Sequence, residues 1–212
     1  GKEENWTLDE AMRTAAFWKL IIALSIFSMI ATGLFFHLVS IFDSNGLSPA
    51  VVASVFIPVA FASALANLLS GYLTDRIPIQ YLLAFGLLLQ AGTLIMAFLL
   101  KNTLTALLFG VILGATNGIS RSVGTVVWPS FFGRKHLGSI NGLSIAISHF
   151  WAAFGPLPFG FVFDRVGSYR PLLLTGAAFC LIFCCVTLSI RKPREKNSRT
   201  GSKFLRRLFV SN

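Results

Sequence analysis

Charge is what this chain has least of. Only 12% of its 212 residues are Asp, Glu, Lys or Arg, and just 8 of these are acidic, whereas a soluble domain carries roughly 25% charged residues. Histidine is as sparse. His37, His136 and His149 are the whole supply, and they have neither the spacing nor the Cys or carboxylate neighbours of a metal site. No glycine-rich phosphate loop follows a strand, and no nucleophile–base set is visible. The expectation is no metal and no cofactor, and a membrane enzyme is disfavoured. The three cysteines, Cys180, Cys184 and Cys185, crowd one apolar stretch. Disulfides between such helical neighbours are geometrically poor, so packing or lipid-facing bulk is expected of them. Short alternating strands are missing too, which argues against a membrane β-barrel. No signal peptide is visible.

What is present is apolar. Hydrophobic residues make up 55% of the chain, Phe alone occurs 21 times, and the mean hydropathy is +0.74. A particle this small cannot hide so much apolar surface, so much of it faces lipid. Disorder and a soluble enzyme are both excluded. A bilayer core takes about 20 apolar residues per helix, and six stretches qualify: 17–42, 49–73, 79–100, 104–129, 138–163 and 171–190. The fold class is therefore an all-α polytopic membrane protein with six transmembrane helices. Asp43-Ser44-Asn45-Gly46, Lys101-Asn102-Thr103 and Gly133-Arg134-Lys135-His136 punctuate the spans, and Pro49 and Pro171 open two of them. Pro58 is expected to kink the second. Three regions follow. Residues 1–16 are polar, with Thr7 and Glu10 placed for a capping box on a short surface helix. Residues 17–190 form the bundle, and 191–212 a basic tail. A start at Gly1 rather than Met suggests a piece of a longer or processed chain.

The basic residues are unevenly placed. With six crossings both termini share a side, and 14 of the 18 Lys and Arg fall on it against three opposite. The positive-inside rule then puts the termini in the cytoplasm, in a plasma or inner membrane. Eight of the 14 lie in the tail, where Phe204, Leu205, Leu208 and Phe209 share a side of a basic amphipathic turn. That suits anionic inner-leaflet lipids, or a disordered tail that only enforces orientation. Nucleic acid would need these charges on an accessible domain, and none remains.

Residues 71–77 read GYLTDRI and residues 160–166 read GFVFDRV, so Gly71, Asp75 and Arg76 recur as Gly160, Asp164 and Arg165 at an offset of 89. Each copy ends the second span of a three-span set, and three helices separate them. This is the pattern of two inverted three-helix repeats. The glycine suits close helix approach, and the Asp–Arg pair suits a latch holding one face shut. Ordinary capped ends with a snorkelling Arg are the alternative.

Polar groups inside a span are costly unless they meet a partner or water. Arg121 is the one clear intramembrane charge, about 12 Å from the expected helix end. Gly110, Gly114, Asn117 and Gly118 are expected on its face. These small residues suit either an anion-admitting cavity or tight helix packing, and the Arg either binds an anion or is structural. A carboxylate would fit its guanidinium bidentately. In the fifth span Asn141, Ser144 and Ser148 share a face, with His149 beside them near mid-depth. That imidazole could carry a coupling proton or be a packed, hydrogen-bonded group. Gly155-Pro156-Leu157-Pro158 then interrupts the helix. His37 lies near the far face, where a gate or interfacial place is expected. Ser25, Ser28 and Thr32 form one polar stripe, and Ser63, Asn67, Ser70 and Thr74 another, as helix glue or cavity lining.

These motifs carry a family likeness. GYLTDR (71–76) resembles the cytoplasmic G-x-L-x-D-R loop motif of the major facilitator superfamily, though it departs after Arg76, where Pro78, Ile79 and Gln80 replace glycine and basic residues. WPSFFGRKHLGSING (128–142), which contains Gly133 and Arg134, and GPLPFGFVFDRVGSY (155–169) are similar to segments of monocarboxylate-porter-like and oxalate/formate-exchanger-like members. WTLDEAMRTAAFW (6–18) resembles the end of the central loop and the lead into the seventh helix. The chain as a whole, about residues 6–190, resembles the C-terminal six-helix half of such a transporter. The resemblance implies alternating-access transport of a small solute, coupled to a proton or counter-solute. It also implies a partner, either a missing N-terminal six-helix half or a second copy. Two functions follow as expectations: a transporter of a small organic anion such as a monocarboxylate, or a non-transporting six-helix scaffold derived from one.

Overall fold

Thr7 opens the first helix as expected: its hydroxyl accepts from the Glu10 amide and the Glu10 carboxylate returns to the Thr7 amide. In the computed structural model, which describes residues 5–193, eight helices follow from there. They are α1 (Leu8–Met12), α2 (Ala15–Asp43), α3 (Pro49–Thr74), α4 (Ile79–Phe98), α5 (Thr103–Phe132), α6 (Leu137–Phe154), α7 (Pro156–Val166) and α8 (Arg170–Leu188). No strand occurs among the described residues. The helices α2, α3, α4, α5, α6–α7 together and α8 are each long and apolar enough to cross a membrane. The protein is thus a multi-pass membrane protein, with its crossings within a few residues of the expected bounds. The basic tail beyond residue 193 lies outside the described residues.

The stops have local causes. Gly133 sits at φ +81° and Gly167 at φ +68°, a region closed to most side chains, and they end α5 and α7. Pro156 lacks an N–H and divides the fifth crossing. Gly155 nevertheless keeps right-handed helical angles (φ −52°, ψ −47°), so the interruption is a loss of hydrogen bonding. Pro58 and Pro129 stay inside α3 and α5.

Packing follows the inverted repeat. The first helix of each triplet lies on the second of the other: α5 against α3, and α2 against α6 and α7. The third helices, α4 and α8, lie on each other. Both cross-triplet contacts are backbone-close. A Cβ added to Gly114 or Gly118 would strike the Val59 or Ser63 carbonyl of α3. At Gly155 it would strike the Met29 carbonyl of α2, and at Gly33 the Phe159 ring at 2.5 Å. Gly110, Gly114 and Gly118 of α5 therefore serve helix packing.

Six crossings bring residues 5 and 193 to one side, here the terminal side. Trp6 and α1 dock there. The Trp6 amide donates to the Phe132 carbonyl at 3.0 Å, the Asn5 side chain accepts from the Lys135 amide at 3.1 Å, and Trp6, Phe17, Trp128 and Phe132 form an aromatic cluster. Lys19 Nζ reaches Ser189 Oγ at 2.8 Å and ties the start of α2 to the end of α8.

Outward faces are concentrated on α3, α6–α7 and α8, where only 17%, 17% and 22% of the most apolar window is buried, against 56% in α2 and α4. Phe61, Leu68, Phe150 and Leu157 are among the exposed side chains there.

Candidate functional site

A cavity of about 630 Å³ opens between α2, α3, α5 and α6, with α4 at its back. Phe27, Ser28, Thr32 and Phe35 line it from α2, Ser63 and Asn67 from α3, and Gln90 from α4. Asn117, Ser120 and Arg121 line it from α5, and His149 and Ala152 from α6. Arg121 is the only Lys or Arg in the lining, and no Asp or Glu is among it. A guanidinium stays charged in a protein, so the cavity carries an uncompensated positive charge.

Depth brings the polar groups together. Because α5 continues to Phe132, Arg121 stands about 17 Å from the helix end by helical rise, deeper than the sequence suggested. Counting from the terminal-side ends of α4 and α6, Gln90 and His149 lie about 17 and 18 Å deep. Three helices thus set a cation, a carboxamide and an imidazole at one level. Such a site near the middle of a bilayer suits a solute reached from either side.

Each group has a stated geometry. Arg121 is exposed to the cavity and makes no ion pair among the described residues. His149 Nδ1 lies 2.8 Å from the Ile145 carbonyl. A carbonyl only accepts, so Nδ1 carries a hydrogen. Gln90 is 1% exposed and its Nε2 has no hydrogen-bond partner.

The remaining expected residues divide. Asn67, Asn117, Arg121 and His149 meet in the cavity. Asn141 and Ser148 do not line it: Ser148 is buried on α6, the helix that packs on α2, one residue round from His149. Gly71 has no heavy atom within 4 Å of an added Cβ, so it makes no close helix contact in this chain, and Gly160 has only the His37 ring at 3.9 Å. Neither Asp75 nor Asp164 forms an ion pair among the described residues. Instead the arginines repeat a contact one helical turn back: Arg76 lies 4.2 Å over Tyr72 and Arg165 4.4 Å over Phe161. Gly133 ends α5, and Arg134 is exposed in the turn beyond it. Cys180, Cys184 and Cys185 are free thiols.

At the far side His37 is a hub. Its Nε2 lies 3.1 Å from the Pro156 carbonyl in the first turn of α7, and its Nδ1 lies 3.2 Å from the Tyr169 hydroxyl. That hydroxyl also meets Ser40 Oγ at 2.8 Å, and the ring stacks on Phe159. Tyr169→Phe keeps the ring contacts and removes the shared hydroxyl. It is expected to lower stability by about 1 kcal/mol, read as a lower melting midpoint in detergent.

Gln90 escaped the sequence reading because it sits in α4, a span that is otherwise almost wholly apolar. The usable signal was a lone carboxamide in hydrocarbon, which needs a partner as much as a charge does. Residues 8–211 match the family model described as Major Facilitator Superfamily. No curated protein matches the chain.

Proposed function

Because the chain belongs to the major facilitator superfamily, a family of membrane transporters, we propose that it forms a six-helix transporter unit moving a small organic anion, such as a monocarboxylate, by alternating access. The observation that carries this reading is the cavity's charge: Arg121 stands in it with no carboxylate beside it. A carboxylate solute supplies the missing partner, and the guanidinium fork matches its two oxygens. Asn67 and Asn117 offer further hydrogen bonds from either side.

His149 is the proton carrier in this reading. Its Nδ1 is taken up by the Ile145 carbonyl, and Arg121 is the only Lys or Arg lining the cavity. Protonation adds a second positive charge and strengthens anion binding, and release of the proton weakens it. Uptake of labelled pentanoate into proteoliposomes is therefore expected to rise when an inward proton gradient is imposed. His149→Gln should keep uptake and lose that dependence. A His149→Gln protein with an unchanged response to the proton gradient contradicts the coupling role.

Both α3 and α6 line the cavity and carry exposed apolar side chains, so a second six-helix unit, an N-terminal half or another copy, would close it there. The terminal side is cytoplasmic on the Lys and Arg count, in a plasma or inner membrane, with the basic tail on anionic inner-leaflet lipid. The GxxxDR segments (71–76 and 160–165) then act on the second unit, since their Asp side chains have no ion-pair partner among the described residues. A scaffold without transport predicts no flux when that unit is supplied.

A further inference from the structure

Gln90 is the one buried group in the cavity that lacks what its chemistry demands. It comes from α4, whose neighbours are α5 and α8 rather than the open side. The residues around it on α4 are satisfied. Thr93 donates to the Leu89 carbonyl at 3.0 Å and meets Thr116 of α5 at 3.3 Å, and Gly86 lets the Phe27 ring approach to 2.8 Å of where a Cβ would stand. Gln90 lines the cavity beside these groups, is 1% exposed, and leaves Nε2 unpaired. Ser25 Oγ is the only other such buried atom among the described residues, and it lies outside this cavity. A buried, unpaired amide is destabilising unless something pairs with it. A carboxamide can turn either end to the cavity by a half-rotation of its last torsion, so its NH₂ can meet an acceptor there.

We propose that Gln90 is a specificity-determining ligand residue that donates to an uncharged oxygen acceptor on the solute, away from the carboxylate held by Arg121. The inference rests on the anion reading above and adds a second point of recognition. Gln90 and Arg121 stand at one depth on different helices, so the solute lies across the bundle, its charged end toward α5 and its neutral polar end toward α4. The acceptor is neutral because Arg121 is the only Lys or Arg in the lining; a second carboxylate at Gln90 would be buried against an amide alone. The volume of about 630 Å³ also exceeds what a bare carboxylate needs. The solute class is a keto- or hydroxy-carboxylate whose oxygen is remote from the acid group.

The test is displacement of labelled pentanoate from the full chain in detergent by two matched pairs: pentanoate with 4-oxopentanoate, and hexanoate with 5-oxohexanoate. The wild type is expected to bind at least one oxo-acid about 10-fold more tightly than its plain partner. Gln90→Leu and Gln90→Met are expected to bring that ratio near one. Equal binding within both pairs by the wild type overturns the proposal, as does a ratio that survives in either variant. If both variants fail to fold, the wild-type ratio alone decides. Pentanoate bound through Arg121 with no oxo preference overturns Gln90 alone. A wild type that binds none of the four overturns the anion reading and this inference with it.

Discussion

Arg121→Gln is expected to reduce carboxylate uptake by about 100-fold or more while the protein still folds and inserts. Two charge-assisted hydrogen bonds from a fork to one carboxylate contribute roughly 3 kcal/mol or more, which is about 100-fold in affinity. Folding should survive because Arg121 is exposed to the cavity and has no ion-pair partner among the described residues to orphan. Gln also removes an uncompensated charge, so the melting midpoint should hold or rise. Arg121→Lys keeps the charge and loses the planar fork, so it should recover only part of the uptake. Comparing initial rates in proteoliposomes with equal amounts of inserted protein checks the series. Wild-type uptake by Arg121→Gln would remove this residue from the binding site.

The second large effect is structural. Gly118→Ala is expected to destabilise the protein by about 1–3 kcal/mol and Gly118→Leu by more, because overpacking a tight contact forces backbone shifts. The added Cβ at this position meets the Ser63 carbonyl, with the Asn67 amide at 2.8 Å and Ala66 Cβ at 2.9 Å. Two of these neighbours are backbone, so no side chain can swing away. The damage should reach function too, since the same crossing of α3 on α5 sets Asn67 beside Asn117 in the cavity. Gly124, six residues along the same helix, has nothing within 4 Å of an added Cβ. There Ala relieves the helix cost of glycine, and Gly124→Ala should stabilise by about 0.5–1 kcal/mol. Opposite signs for one substitution on one helix, read as melting midpoints in detergent, check the packing account. A neutral Gly118→Ala would contradict it.

The six crossings were legible because lipid demands long apolar runs, and Gly, Pro and polar turns punctuate them. The repeat was legible too, since its two copies sit at matching ends of the second and fifth spans. Faces were harder. Gly110, Gly114 and Gly118 share a helical stripe close to Asn117 and Arg121, and spacing alone leaves open whether that stripe lines a cavity or meets a helix. The structure divides it, with the glycines on α3 and the polar pair toward the cavity. Ser148 and His149 part in the same way across one residue, about 100° of turn. Which direction faces α2 depends on how the triplets pack, and periodicity does not carry that. Long-range pairs were invisible: His37 and Tyr169 stand 132 residues apart.

The central claim is that this cavity selects anions through a lone cation. Equilibrium binding to the purified full chain tests it most directly, with labelled pentanoate as the probe and pentanoate, pentanamide and pentylammonium as competitors of matched length. The account predicts saturable binding that pentanoate displaces, that pentanamide displaces at least about 10-fold more weakly and pentylammonium not at all, and that Arg121→Gln loses. Displacement by pentylammonium as effective as by pentanoate, or no saturable pentanoate binding in the wild type, would contradict it.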